Sequence, residues 1–369
     1  MTQPCIIIAE AGVNHNGNLD MALELVDRAA EAGADYVKFQ TFRAKDLASR
    51  SAPKAGYQQR TSDAAESQLD MLLRLELSES NHHILLQRCA ERGIAFLSTP
   101  FDLASLNFLT KDLGQRLIKL GSGELTNGPL LLAAARSGAR IILSTGMGSL
   151  AEVEEALGVL GFGMTGGDHP SRAAFAASLF DAATWAVLRE RVILLHCTTE
   201  YPAPVAQTNL QVLATLRQAF TVPVGYSDHT EGLAISFAAV ALGACVIEKH
   251  FTLDCGLPGP DHAASLEPAD LIKLVRGIRA VEQAMGNGIK QPGPAELANR
   301  TVARKSLIAA RDLPKGHVLA ADDLVAMRPG NGISAMAFWD VQGQALAHAA
   351  QAGECIRLAP PPSGDASYG

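Results

Sequence analysis

The stretch CIIIAEAGVNHNG, residues 5–17, joins a short apolar run to a polar turn, and a helix-length amphipathic stretch follows it at 21–33. A buried strand followed by a helix is the repeating unit of parallel α/β folds. A dinucleotide-binding Rossmann fold would carry the phosphate-binding pattern GxGxxG directly after its first strand. The turn here reads EAGVNHNG instead, so this first unit argues against a Rossmann fold.

The same strand–helix unit recurs along the chain as far as residue 286. Eight units within this length predict a closed (β/α)8 TIM barrel, and an open doubly wound sheet is the alternative on pattern alone. Several helical stretches end on glycine, the usual residue just after a helix. The eight predicted strands are CIIIA (5–9), DYVKF (35–39), AFLS (95–98), RLIKL (116–120), RIILS (140–144), VILLHC (192–197), VPVGYS (222–227) and ACVIEK (244–249).

The composition changes after residue 286. A Gly- and Pro-rich polar segment predicts a linker at 287–304, and short apolar runs between turn residues predict a small module at 305–358. So few residues form only a small core, and we therefore expect the module to need a partner surface. The domains are thus a barrel at 1–286, the linker, the module, and a tail at 359–369 that we expect to be disordered.

Composition and charge narrow the classes of function. The 369 residues carry a net charge of −7, which argues against a nucleic-acid partner. Small anionic molecules remain compatible with this charge as substrates. No apolar run approaches the roughly 20 residues of a membrane helix, and the N-terminus lacks a signal pattern, so we expect no membrane association and a cytoplasmic location. The six cysteines form no CxxC pair, which predicts reduced thiols rather than a zinc or disulfide frame.

Two connections are longer than the others. Residues 41–80 follow the second strand, and we predict an excursion over the barrel mouth. Residues 161–181 precede the sixth strand and look like a surface insertion without an assigned role.

Polar side chains stand at the carboxyl ends of all eight predicted strands, where the active sites of TIM barrels lie. Strand residues spaced by two point to the same face, so Ser227 with His229 and Glu248 with His250 can enter one pocket together. Taken singly, Ser227, Asp228, Thr99 or Asp102 could each be a helix N-cap. Capping needs no lysine or histidine, which favours a site over a series of caps.

His229 and His250 end adjacent strands, close enough to bind one ion. Two imidazoles without a cysteine partner suit an open site for Mn²⁺, Mg²⁺ or a similar ion completed by water and substrate oxygens. The alternative for this pair is a simple hydrogen-bonding role.

Lys38 and Lys119 place two cations at the barrel mouth, near the hydroxyls of Ser122, Ser144 and Ser227. This set suits a small molecule that carries both a phosphate and a carboxylate. The alternative for Lys38 is an ion pair with Glu10 on the neighbouring strand.

These motifs together resemble the N-acetylneuraminate (sialic acid) synthase family, which includes legionaminate-type synthases. The resemblance spans nearly the whole chain and implies a (β/α)8 barrel joined to a C-terminal antifreeze-like (SAF) domain. It also implies a transferase that condenses phosphoenolpyruvate with an N-acetylated mannosamine and water, with release of phosphate. The matching segments are AEAGVNHNG (9–17), VKFQTF (37–42), FLSTPFD (96–102), KLGSGEL (119–125), ILSTGM (142–147), LLHCTTEYPAP (194–204), GYSDHTEG (225–232), EKHFTLD (248–254), PGPDHAASLEP (258–268), KSL (305–307) and RPGNGI (328–333).

The resemblance also assigns roles to single residues. It implies a divalent metal, Mn²⁺ first with Mg²⁺ or Co²⁺ as alternatives, on His229 and His250. It implies a domain-swapped homodimer in which Arg328 reaches the sugar of the other subunit. Thr199 stands where some members have Asn, which leaves its contact open. The implied phosphoenolpyruvate ligands are Lys38, Thr99, Lys119, Ser122, Ser144, Thr199 and Ser227, and the implied sugar ligands are Glu10, Gln40, Tyr201, Asp261 and Arg328.

Several alternatives stay open at this point. The acceptor is N-acetylmannosamine in our first hypothesis and a 2,4-diacetamido-6-deoxy-mannose, giving a legionaminate-type acid, in the second. Lys38 and Lys119 are catalytic candidates, and either Glu10 or Glu124 would transfer protons. A Schiff-base pyruvate aldolase would place its lysine at the end of strand six, where this chain has His196. A non-enzymatic carbohydrate-binding protein is the remaining hypothesis.

Overall fold

The structure is a computed structural model that describes residues 4–47, 54 and 66–360. The chain divides into two compact units, residues 1–286 and 287–369. The predicted tail falls largely at 361–369, outside the described residues.

The first unit is an eight-stranded parallel barrel. Its hydrogen-bonded order, β3-β2-β1-β8-β7-β6-β5-β4, is a ring that opens only between β3 and β4 in the described part of the chain. The first and last strands pair in parallel, with Ile8 opposite Glu248 and Glu10 opposite His250, as a closed barrel requires. The (β/α)8 prediction is confirmed, and the open sheet is excluded. The strands are β1 (Ile6–Gly12), β2 (Tyr36–Thr41), β3 (Ala95–Pro100), β4 (Leu117–Leu120), β5 (Arg140–Ser144), β6 (Val192–Cys197), β7 (Val224–Asp228) and β8 (Val246–His250).

Helices alternate with these strands, and local signals set their ends. Helix α1 begins after Asn18, whose side chain accepts a hydrogen bond from the Met21 N–H, and ends at Gly33 in the left-handed conformation. Helix α5 continues into a π-helical turn at Phe108–Asp112. The helices of this unit are α1 (Leu19–Ala32), α2 (Ala44–Leu47), α3 (Gln68–Leu75), α4 (Glu79–Arg92), α5 (Leu103–Asn107), α6 (Gly128–Arg136), α7 (Leu150–Met164), α8 (Arg172–Ser178), α9 (Ala182–Arg191), α10 (Val212–Phe220), α11 (Ala234–Ala241) and α12 (Pro268–Met285).

The alternation of strand side chains builds two apolar layers. One layer lies between the strands and the surrounding helices, and the other fills the barrel interior. Truncating a buried leucine in such a layer typically costs about 2–5 kcal/mol of stability. The interior layer comprises Ile8, Leu97, Ile142, Ile193, Leu195 and Val246.

Polar side chains follow the interior layer at the mouth of the barrel. Two residues further along a strand point the same way, so Ile8 is followed by Glu10, Ile142 by Ser144 and Val246 by Glu248. On each of these strands, the next inward-facing residue after the apolar layer is therefore polar.

The two long connections contain helices of their own. Helices α2 and α3 lie in the predicted excursion at 41–80, of which residues 48–53 and 55–65 lie outside the described residues. The predicted insertion at 161–181 contains the end of α7 and the whole of α8. None of the helices in the described ranges has the length and apolar character that crossing a membrane requires.

The second unit contains an antiparallel pair, β9 (Ser306–Ala309) with β10 (Leu324–Met327), and a small apolar core. The segment that we predicted as a linker holds helix α13 (Pro294–Ala303). A proline in its first turn and a bond from the Gly293 N–H to the Glu296 carboxylate start this helix. Capping therefore gives helical structure to a segment whose Gly and Pro content indicated a loop.

Asp323 is the buried polar centre of the second unit. Its Oδ1 accepts hydrogen bonds from Arg311 Nε and Nη2 at 2.9 and 2.6 Å. Its Oδ2 lies 2.7 Å from His317 Nε2 and accepts from the Ala320 N–H at 2.9 Å. One carboxylate thus joins three segments of a small core.

Candidate active site

A cavity of about 340 Å³ opens at the carboxyl ends of the barrel strands. It brings together every predicted site residue of the barrel, whereas Arg328 is exposed in the second unit. Asp102 is the N-cap of α5, and its neighbour Thr99 lies in the cavity. The predicted residues that line the cavity are Glu10, Lys38, Gln40, Thr99, Lys119, Ser122, Glu124, Ser144, Thr199, Tyr201, Ser227, His229, His250 and Asp261.

Two buried lysines share one carboxylate at the floor of the cavity. Lys38 Nζ lies 3.7 Å and Lys119 Nζ 3.4 Å from the carboxylate of Glu248. Lys38 Nζ also lies 2.7 Å from Glu10 Oε2 and donates to Thr99 Oγ1 at 3.0 Å. The predicted Lys38–Glu10 ion pair therefore exists, and it stands inside the cavity.

The pKa values of this cluster follow from burial and from the paired charges. Burial favours the neutral form of Glu248, but Lys119 and Lys38 outweigh it and lower the pKa of Glu248 to about 2. Burial opposes the charge on Lys38, and Glu10 and Glu248 outweigh it, so the pKa of Lys38 is raised. The pKa of Lys119 is lowered, because burial outweighs the attraction of Glu248.

Glu10 and Glu124, the two candidate proton carriers, differ in their surroundings. Burial raises the pKa of Glu10 to about 7 against the opposing charge of Lys38. Burial also raises the pKa of Glu124, against a hydrogen bond from Asn127 Nδ2 at 2.6 Å. A carboxyl with a pKa near 7 can gain and lose a proton at neutral pH, and Glu10 meets this requirement.

Glu248 is a site residue to which the sequence assigned no role. The spacing of Glu248 and His250 indicated that both face the pocket, but only the folded barrel shows Glu248 between the two lysines. It also accepts a hydrogen bond from Ser227 Oγ at 2.8 Å. Its negative charge allows two cations to be buried side by side.

Hydroxyl groups form the wall beside the lysines. Ser122 Oγ accepts from the Gly146 N–H at 3.0 Å, and Cys197 Sγ lies 3.1 Å from it. Ser144 Oγ and Thr199 Oγ1 are buried without a hydrogen-bond partner among the described residues. Buried hydroxyls normally have partners, so these two are open to a ligand oxygen.

The two histidines stand side by side, with ring centres 5.6 Å apart. His229 Nδ1 lies 2.7 Å from the Thr198 carbonyl oxygen, which can only accept, so Nδ1 carries the proton and Nε2 keeps its lone pair. His250 Nδ1 is buried without a hydrogen bond and lies 3.7 Å from Asp261 Oδ2. Burial lowers the pKa of His229 to about 4 and that of His250 well below its usual value, so both rings are neutral.

Neutral imidazole is the form that binds metal ions, and these residues fit a divalent cation in that respect. Across residues 4–47, 54 and 66–360, no group of three or more His, Cys, Asp or Glu side chains is arranged to hold an ion. The pair therefore fits an ion that takes its other ligands from water and substrate rather than a closed site.

One side of the cavity is apolar, which the sequence analysis missed. Leu47 from α2 and Met71, Leu72 and Leu75 from α3 line it opposite the charged floor, and we call these four residues the apolar wall. The apolar periodicity of LDMLLRLEL was the available signal for this helix.

His196 lies outside the cavity. It precedes the inward-facing Cys197 on β6, so its side chain points the other way, and its Nε2 lies 2.7 Å from the Thr208 carbonyl oxygen. The barrel thus offers no lysine at the end of strand six.

Comparisons with known proteins agree with this arrangement. The sequence profile of the NeuB family matches residues 25–290, and that of the SAF domain matches residues 304–359. The N,N'-diacetyllegionaminic acid synthase of Campylobacter jejuni is 47% identical over 352 residues, covering 95% of this chain and 98% of that protein. The synthase of the same name from Legionella pneumophila is 43% identical, covering 95% and 93%.

A solved structure extends the likeness to three dimensions. The crystal structure of N-acetylneuraminic acid (sialic acid) synthetase from Leptospira borgpetersenii, in complex with citrate, is 34% identical with a TM-score of 0.65. The match covers 80% of this chain and 90% of that one. Because the profile spans well over half of the residues and the relatives match along nearly their whole length, the chain belongs to the NeuB family.

Proposed function

We propose that the protein condenses phosphoenolpyruvate with a 2,4-diacetamido-6-deoxy-mannose and water, giving a legionaminate-type nine-carbon acid and phosphate. The observation that carries the reaction is the pair of buried lysines on one carboxylate, beside two neutral histidines. The acceptor differs from our first hypothesis, N-acetylmannosamine. Identity of 47% and 43% to legionaminic acid synthases, against 34% to a sialic acid synthetase, favours the diacetamido sugar.

Phosphoenolpyruvate fits the charged floor. Its phosphate and carboxylate would take the charge-assisted bonds of Lys38 and Lys119, which are both buried and therefore poorly compensated by water. Ser144 Oγ and Thr199 Oγ1 need hydrogen-bond partners that ligand oxygens would supply. Thr199, which stands where some family members carry Asn, would in this proposal contact an oxygen of phosphoenolpyruvate.

His229 and His250 would hold the divalent cation, which we propose is Mn²⁺. When bound, it would supply Lewis acidity toward the acceptor's aldehyde oxygen. Tyr201 packs against His229 with ring centres 4.2 Å apart and limits the rotation of this ligand.

The chain's own residues would organise the remaining steps. The lysines hold phosphoenolpyruvate so that its C3 faces the aldehyde carbon, and a carbon–carbon bond forms between them. Water then adds to the electron-poor C2, and phosphate leaves by C–O cleavage. Glu10 is the residue that we assign to proton transfer, since its pKa of about 7 suits both the acid and the base role.

The test is phosphate release from phosphoenolpyruvate with each sugar offered alone and in competition. We expect turnover with both and a higher kcat/KM for the diacetamido sugar. A higher kcat/KM for N-acetylmannosamine would contradict the acceptor assignment, and no phosphate release with either sugar would contradict the reaction itself.

One observation keeps the Schiff-base aldolase as a second candidate. Lys119 is a buried lysine whose pKa is lowered by burial, as nucleophilic lysines require. Borohydride reduction in the presence of pyruvate separates the two reactions. We expect no covalent label, because Lys119 Nζ lies 3.4 Å from the Glu248 carboxylate and the end of strand six carries His196 rather than a lysine; labelling at Lys119 would favour the aldolase.

Two further parts of the proposal concern assembly and location. We propose a domain-swapped homodimer in which Arg328 acts on the partner's barrel, supported by the exposure of Arg328 and by the SAF domain that carries it. A cytoplasmic location stays a prediction from the sequence.

A further inference from the structure

The cavity has two chemically different sides. Charged and polar groups form the floor, whereas the apolar wall, Leu47, Met71, Leu72 and Leu75, presents only hydrocarbon and a thioether. Gln68, at the start of α3, adds one amide group to the cavity lining. The proposed chemistry uses the floor and leaves the apolar wall without a role. Sugar hydroxyls cannot hydrogen-bond to such a surface, so it favours contact with apolar groups of the acceptor.

The apolar wall is part of a larger apolar cluster. Met71 and Leu75 are 1% and 4% exposed and pack in a cluster with Val13 and Phe42. Helix α3 is capped by Ser67, whose Oγ accepts from the Asp70 N–H at 3.1 Å. At its other end, Glu76 Oε2 accepts from the Ala44 N–H at 2.9 Å, which ties α3 to α2.

Leu72 is a suitable residue of the apolar wall for mutagenesis, because its neighbour Leu73 provides a matched control. It is 9% exposed and lines the cavity, whereas its neighbour Leu73 is 44% exposed and does not line it. The same helix therefore carries one leucine toward the cavity and one away from it, in consecutive positions.

We propose that the apolar wall is the specificity-determining surface of the acceptor site and that it receives the C6 methyl group of a 6-deoxy sugar. This inference rests on the proposed function. Moving a methyl group from water to such a surface is favourable, whereas a C6 hydroxyl would lose its water without finding a hydrogen-bond partner on these four side chains. Glu10, Gln40 and Asp261, on the polar side of the cavity, are left for the hydroxyls of the sugar.

The size of the preference follows from the chemistry of apolar pockets. Such a pocket rejects an analogue with an added hydroxyl by up to roughly 100-fold in kcat/KM, because the hydroxyl keeps some access to water. We therefore expect a preference of roughly 10- to 100-fold for a 6-deoxy acceptor over its 6-hydroxy counterpart.

The sharpest experiment uses N-acetylmannosamine and its 6-deoxy analogue, which differ in one oxygen atom. The ratio of their kcat/KM values is measured for the wild type, for Leu72→Asn and for the matched control Leu73→Asn. Asparagine branches at Cγ as leucine does, and it adds a polar group. We expect Leu72→Asn to reduce the ratio at least fivefold and Leu73→Asn to leave it unchanged.

A second variant guards against misfolding. Leu47→Asn changes the apolar wall from α2 rather than α3, and it should also reduce the ratio while circular dichroism and the KM for phosphoenolpyruvate stay as in the wild type. A wild-type ratio near one, or equal effects of Leu72→Asn and Leu73→Asn, would overturn the inference. Turnover of neither these sugars nor the diacetamido sugar would overturn the proposed function as well, so the two failures are distinguishable.

Discussion

At the scale of single residues, Lys38 and Lys119 share Glu248 but have different further partners. Lys38 also contacts Glu10 and Thr99, whereas among the described residues Lys119 forms an ion pair with Glu248 alone. Both lysines are buried, so water would screen their charges little from a bound anion.

Removing either lysine should therefore weaken phosphoenolpyruvate use. For Lys38→Ala and Lys119→Ala we expect a loss of about 2–4 kcal/mol in transition-state stabilisation, roughly 30- to 1,000-fold in kcat/KM for phosphoenolpyruvate. The KM for the sugar should change little. Steady-state kinetics with each substrate varied in turn checks this, and a rise confined to the sugar KM would show that the lysines have been assigned to the wrong substrate.

The histidine pair leads to a second prediction at this scale. His229→Ala and His250→Ala should each abolish turnover, since each removes one of two neutral ring ligands. Activity assays before and after exhaustive chelation, with circular dichroism as the folding control, provide the measurement. Full turnover after chelation would contradict a metal role, and unfolding of both variants would show that the pair is structural.

At the scale of elements, the carboxylate of Asp323 connects three segments of the second unit. Arg311, His317 and the Ala320 N–H all bond to this carboxylate, and the bonds hold the pKa of Asp323 well below its usual value of about 3.9. A depressed folded-state pKa means that the contribution to stability is complete above the unfolded value and is lost as the pH falls below it.

Asp323→Asn should therefore lower the protection of residues 305–358 at neutral pH, because the amide keeps at most part of the accepted bonds. Hydrogen exchange of the full chain measures this, with the exposed neighbour in Asp322→Asn as the matched control. In the wild type the same protection should fall between about pH 4 and pH 2, whereas the Asp323→Asn variant should lack that fall. Equal exchange in Asp323→Asn and Asp322→Asn would show that the Asp323 carboxylate does not contribute to the stability of residues 305–358.

At the scale of the whole molecule, the proposed swapped dimer makes catalysis depend on two chains. Inactive Arg328→Ala and inactive His229→Ala subunits, dissociated and reassociated together, should regain activity if Arg328 acts in trans. Random pairing with one intact site per mixed dimer gives up to about one quarter of wild-type activity. A mixture that stays inactive would place Arg328 in the site of its own chain, and an active Arg328→Ala variant would place it outside catalysis.

A positive charge at position 328 should not be sufficient for the proposed role of Arg328. Arg328→Lys keeps the positive charge but loses the planar set of donors that can bind several sugar oxygens at once. We therefore expect this variant to be impaired, mainly in the KM for the sugar. Wild-type kinetics in Arg328→Lys would contradict the role of the guanidinium.

Much of the barrel and its site could be predicted from the sequence alone, because the signals are local. Apolar runs and amphipathic stretches alternate along the chain, and a period of two places residues such as Lys38 and Gln40 on one face of a strand. The carboxyl ends of parallel strands then bring Glu10, Lys119, Ser227 and their counterparts to one mouth, without any knowledge of their contacts.

What only the tertiary structure decided depends on residues that are distant in sequence. Glu248 acquires its role because Lys38 and Lys119, on two other strands, both reach it. Gly225 must be small because an added side chain would overlap the Val246 carbonyl and Leu195. Met71, Leu72 and Leu75 of the apolar wall are placed by the packing of α3 in one cluster with Val13 and Phe42. Periodicity identifies the face on which a side chain lies, but packing between distant segments determines which group stands opposite it.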